Sequence, residues 1–140
     1  MVVNKSVTTP RLPDWQARLG ALLETRSRKP FEWGLHDCCL FAADAVHATV
    51  GVDPAAGLRT YSDAKGAAKV LQTLGGVAKI GDDHLGAVQP VLMARVGDTG
   101  LVQIDGRDCL AVCNGDTWLG PGEDGLVALP LRAAIRAWRY

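Results

Sequence analysis

The chain has 140 residues, 48% of them hydrophobic, and fifteen basic side chains against fifteen acidic ones. That is enough apolar material for one domain with its own core, so its four cysteines are not needed as crosslinks. With zero formal charge, and with TRSRKP at 25–30 as the densest basic cluster, nothing marks a surface for nucleic acid or an anionic membrane.

The N-terminus, MVVNKSVTTPRLPDW, has no apolar h-region behind its lysine, so export by a signal peptide is not expected. Nor does any apolar run approach the ~20 residues of a membrane-spanning helix. In a reducing cytoplasm the cysteines are expected as thiols, metal ligands or a nucleophile. Residues 1–13 read as an arm and 14–140 as a single domain. From Asp14, Trp15, Leu19, Leu22 and Leu23 recur at helical spacing, and Lys29-Pro30 ends that helix. A second helix runs from Cys38 to about Val50 and stops at Gly51. Ser62 is placed to cap a third, DAKGAAKVLQTL, which Gly75-Gly76 terminates.

After Gly76 the texture changes to short apolar runs: VAKI, PVLMARV, GLVQI, CLAVC, DTWLG and GLVALPL. Turn clusters such as GDD, GDTG, DGRD, NGD and GPGEDG separate them. Helices followed by an antiparallel meander predict an α+β fold, with N-terminal helices packed on an antiparallel sheet.

Asp37 stands where an N-cap belongs, immediately before the helix that opens at Cys38. The positive end of the helix dipole there favours a thiolate, which makes Cys38 a candidate nucleophile; the alternative is a plain core thiol. Cys39 points ~100° away around the helix, as a small buried hydrophobe would. A nucleophile needs a base. His47, nine residues on, lies on the opposite face of the helix. His36 precedes the cap and has little freedom to aim; His84 sits in the polar stretch GDDHLG, read as an acidic turn with Asp82 and Asp83. Cys109 and Cys113 share a strand face but stand ~13 Å apart, and the spacing misses the usual C-x-x-C knuckles, so no metal or other cofactor is expected. GPGEDG at 120–125 has no helix behind it and reads as a β-turn loop, not a phosphate cradle. Trp33 and Trp138 are core or groove aromatics.

PFEWG at 30–34 followed by DCCLFAADAV at 37–46 resembles the NlpC/P60 cysteine peptidases at the entry to their main helix. Val96-Gly97-Asp98 resembles that family's Gly-Asp strand entry, CLAVCNGD at 109–116 its histidine-bearing strand, and AWRY at 137–140 its terminal aromatic-basic strand. The likeness runs in the family's order over residues 30–140. Within it, Trp33 to Asp44, Gly51 to Ala55 and Gly122 to Trp138 resemble the small form encoded among tail-tip genes of tailed phages and prophages.

This resemblance implies a papain-like core in which Cys38 takes the nucleophile position. The family's histidine position falls on Cys109, and its third, orienting position falls near Gly120 or Pro121. Two of three catalytic positions are therefore lost unless His36 or His84 substitutes. Trp33 and Asp37 would line a substrate groove, and Cys38 would face Cys109 as two inert core thiols or a redox-sensitive pair. Two functions follow as expectations. One is a structural component of a phage tail tip, located in the virion after synthesis in the host cytoplasm, that binds tail hub or neighbouring tail proteins. The other is an active cysteine hydrolase that cleaves peptidoglycan stem peptides during entry.

Overall fold

Four helices and six strands carry the chain, in an α+β arrangement that a computed structural model describes for residues 8–140. Helix α1, Trp15–Arg26, lays Leu19, with Trp15, Leu22 and Leu23, against Phe41, Ala45 and Val112. Helix α2, Cys38–Val50, is buried along most of its circumference, which its alanine-rich sequence permits by letting neighbours approach closely. Its ends are fixed by the Asp37 side chain, which accepts from the Leu40 amide, and by Gly51 in the left-handed conformation. Helix α3, Ala64–Leu74, begins one residue later than its serine suggests. Its cap is Asp63, not Ser62, with the carboxylate accepting from the Gly66 amide at 2.7 Å.

VAKI is not a strand. Val77–His84 forms helix α4, directly after Gly76, and buries Val77, Ile80 and Gly81 on one face. A four-residue apolar run reads equally as strand or helix. Extending the window to Leu85 exposes the i, i+3, i+4 spacing that decides it. The Trp138 ring lies so close to Gly81 that a β-carbon there would collide with it. Asp82, Asp83 and His84 accordingly sit on a helix rather than in an acidic turn. Asp82 accepts from Trp138 Nε1 at 3.0 Å and from Arg136 at 2.6 Å, tying α4 to the last strand.

PVLMARV also departs from the expected strand. Strand β1, Ala87–Gln89, ends at Pro90, which cannot donate to a ladder, and Val91–Met93 makes a 3-10 turn. Four strands then form the expected meander: β2, Thr99–Ile104; β3, Arg107–Cys113; β4, Thr117–Gly122; and β5, Gly125–Pro130. Strand β6, Arg136–Arg139, returns beside β2, giving the antiparallel order β1-β6-β2-β3-β4-β5. The β2–β3 hairpin turns on Asp105-Gly106, both with positive φ, the arrangement that the Asp-Gly pair favours. Of the GPGEDG stretch only Glu123 and Asp124 form the turn. Gly120 to Gly122 belong to β4, with Gly122 paired to Gly125.

The centre of the sheet is covered on both faces, which is why β3 reads as an unbroken apolar run from Cys109 to Cys113. Leu110 and Val112 face the helices, in clusters with Ala42 and Val46 of α2 and with Leu19 and Phe41. Ala111 and Cys113 face the other way, with Val102, Trp118 and Ala137, and that side is closed by Val91, Leu131 and Ala134.

The expected N-terminal arm is, in its described part, laid on the domain. Leu12 N donates to Thr49 O, Arg11 stacks on Trp15 and donates to Val96 O, and Thr9 N donates to Tyr140 O. Residues 1–7 lie outside the described residues. Among the described residues no helix is long and apolar enough to cross a membrane.

Candidate functional site

A cleft of about 590 Å3 opens between the start of α2 and the β2–β3 and β4–β5 hairpins. Cys38 and Cys109 line it together with Phe31, Trp33, Arg107 and Pro121. A smaller lobe of about 130 Å3 adjoins it, lined by the same two cysteines, Cys39, Tyr61 and Asp37. Trp33 borders both spaces, with Phe31 standing edge-on to it at 4.7 Å between ring centroids.

The segment that delivers Cys38 is held by its own backbone chemistry. Gly34 has φ of 82°, and a side chain there would collide with the Tyr61 carbonyl. This tight turn lets Asp37 act twice: Oδ1 accepts from Leu40 N at 2.9 Å, while Oδ2 accepts from Gly34 N at 3.0 Å and from the Tyr61 hydroxyl at 2.7 Å. Asp37 is 2% exposed, so this carboxylate fastens the helix start rather than offering itself to a ligand. Burial, and then the bond to Asp37, raises the Tyr61 pKa and keeps the phenol protonated as a donor.

At the head of α2 three sulfurs come together. Cys38 Sγ lies 3.9 Å from Cys39 Sγ, and the Cys109 thiol, which β3 brings to the same cleft, is near enough for the two groups to shift each other's titration. The Cys109 thiol lowers the Cys38 pKa, but the contact with Cys39 and burial outweigh it and leave that thiol above its ordinary value. The Cys38 thiol, and then burial, pushes the Cys109 thiol up as well. The helix-end advantage is therefore cancelled, and at neutral pH both groups are thiols, which are poor nucleophiles. Among the described residues no group of three His, Cys, Asp or Glu side chains is placed to hold a metal ion.

Neither candidate substitute base lines the cleft. His36 is wholly buried on the α1 side, edge-on to Phe41, where Arg26 donates to its Nδ1 at 2.9 Å. That bond puts the imidazole proton on Nε2, which has no partner among the described residues. Burial, then the Arg26 and Lys29 cations, lowers the His36 pKa and keeps the ring neutral. His84 borders a separate apolar cavity of about 50 Å3 beneath α3, and His47 is exposed near the end of α2. Gly120 and Pro121, where the resemblance places the orienting residue, do line the cleft beside Cys109, but neither carries a polar side chain. Trp138 is fully buried in the core, away from the cleft.

Sequence reasoning missed several neighbours. Arg107, Asp105 and Glu123 reach the cleft from hairpin turns, where single charged residues carry no periodic signal. A polar network behind the site was also hidden. Arg26 donates to Asp44 at 2.7 Å, and Arg59 bridges Asp44 at 2.6 Å and Asp53 at 3.0 Å. This network pins α1 and the loop after α2 onto the helix that carries Cys38.

A family model described as a domain of unknown function, DUF6950, matches residues 10–140. No curated protein and no solved structure matches the chain.

Proposed function

Because the chain belongs to the DUF6950 family, whose description assigns no activity, we propose from the cleft itself that it is a binding module built on a degenerate cysteine-peptidase-like site. The observation that carries this reading is the partner of Cys38. Where a working nucleophile needs an imidazole, the opposing strand presents the Cys109 thiol, and both sulfurs stay protonated. Loss of the base in a catalytic triad removes orders of magnitude of rate. What survives is the groove, lined by Phe31, Trp33, Pro121 and Gly122, a shape suited to holding an extended segment of another protein.

The motif order of the NlpC/P60 family and the tail-tip variant's Trp33–Asp44 pattern support a papain-like core and a setting in a phage tail tip. In that setting the domain is a virion component that contacts tail hub or neighbouring tail proteins and meets peptidoglycan without cutting it. A second reading, an active hydrolase of stem peptides, draws on Cys38 standing at the first turn of a capped helix beside an open cleft.

One experiment separates them. Purified protein incubated with peptidoglycan stem peptides is expected to release no new amine, and Cys38→Ala is expected to leave binding to tail proteins intact. Cleavage that Cys38→Ala abolishes would overturn the proposal in favour of the hydrolase.

A further inference from the structure

We propose that Cys38 and Cys109 join in a reversible disulfide that locks the floor of the cleft when the protein meets a small disulfide such as oxidised glutathione. The two cysteines line the same cleft and the same smaller lobe beside it, and they come from elements that sequence alone would leave independent, the first turn of α2 and the start of β3. The alternative partners are poor. Cys39 is 3.9 Å from Cys38, but consecutive α-carbons are ~3.8 Å apart, below the ~4.4–6.8 Å that an unstrained disulfide spans. Pairing them would break the Asp37-capped turn. Cys113 shares the strand face of Cys109 but stands ~13 Å along it, buried in the core, its sulfur accepting from Gly115 N at 3.3 Å.

The chemistry balances without any group from the protein beyond the two thiols. One cysteine gives its proton to solvent, attacks a sulfur of the glutathione disulfide and expels one glutathione thiolate. The second cysteine, losing its proton in turn, attacks the mixed disulfide at the protein sulfur and expels the other. Two protein thiols are oxidised, one disulfide is reduced to two glutathiones, and the released protons are taken up by the two leaving thiolates. The cleft, at about 590 Å3, has the volume to receive a tripeptide reagent. Because neighbours and burial hold both thiols protonated, the crosslinking rate should rise about tenfold per pH unit through the neutral range.

The inference rests on the tail-tip reading for its setting: a chain folded in a reducing cytoplasm and used outside it would pass from the dithiol to the crosslinked form. In that form α2 and β3 are one covalent unit, and the cleft keeps a fixed width.

The test is intact mass and peptide mapping of the full-length protein after incubation with excess oxidised glutathione at pH 8. The wild type is expected to become about 2 Da lighter, with one linked peptide pair containing Cys38 and Cys109, and to regain the mass in dithiothreitol. Cys39→Ala should behave identically, and Cys109→Ser should lose the crosslink. An unchanged mass, a pair mapped to Cys38–Cys39 or between molecules, or a crosslink surviving in Cys109→Ser would overturn the inference. Stem-peptide cleavage would sink the binding-module reading and leave the mass result standing, so the two failures are distinguishable.

Discussion

Cys109 is the residue on which the site turns. It lines the same cleft as Cys38, whose thiol is the first cause of the raised Cys109 pKa, so a side chain placed there addresses that sulfur. Cys109→His should set an imidazole against the Cys38 sulfur and favour its thiolate. Alkylation of Cys38 by iodoacetamide at neutral pH should then accelerate by about tenfold or more, read by mass spectrometry of the Cys38 peptide. An unaltered rate would show that position 109 does not address the sulfur.

His36 supports a second residue-level prediction. Burial and its cationic neighbours hold its folded pKa below the unfolded value of ~6.5, so the unfolded chain binds the proton first. Stability is therefore complete above the unfolded pKa and declines as pH falls from there towards the folded pKa, at no more than about 1.4 kcal/mol per unit. Urea midpoints at successive pH values should fall for the wild type. His36→Gln, whatever its absolute stability, should give a flatter profile over the same window.

At the scale of elements, two glycines in helices should respond oppositely to the same substitution. Gly20, exposed on α1 with open space around a would-be β-carbon, should give a Gly20→Ala variant more stable by about 0.5–1 kcal/mol. Gly81 on α4 lies beneath the Trp138 ring, so Gly81→Ala should cost about 1–3 kcal/mol through overpacking. Denaturation midpoints of the pair check this, and a stabilised Gly81→Ala would contradict the packing of α4 on β6.

The same elements show what the sequence makes legible. The Asp37 cap, the Gly51 stop and the four-strand meander are local signals, and each residue type acts where its own chemistry puts it. Helix α4 was hidden because VAKI is too short to reveal a period, and β1 because Pro90 cuts the apolar run that surrounds it. The juxtaposition of Cys38 with Cys109 came only from the order of motifs. The Arg26–Asp44–Arg59–Asp53 network came from nothing local, since its members meet across separate elements.

Over the whole molecule, polar anchors knit together what the core leaves loose. Asp98 is 1% exposed and takes two hydrogen bonds from Arg139, at 2.9 and 2.8 Å, and one from the Arg95 amide, with Arg11 at 3.5 Å. One carboxylate thus ties the N-terminal segment, the entry to β2 and the last strand. A buried charge so fully partnered fixes geometry more than it adds stability, because desolvation offsets much of the attraction.

The contact between Thr9 N and Tyr140 O, at 3.0 Å, makes the described chain almost a closed ring. Topologically, its cut is then a matter of convenience: the fold does not depend on where the polymer is opened, provided the opening falls in an unburdened turn. Ala56-Gly57 is such a place, exposed and with open space around Gly57. A circular permutant of residues 9–140, with a short linker joining Tyr140 to Thr9 and new ends at that turn, should keep the near-ultraviolet circular dichroism of its four tryptophans and a single cooperative unfolding transition.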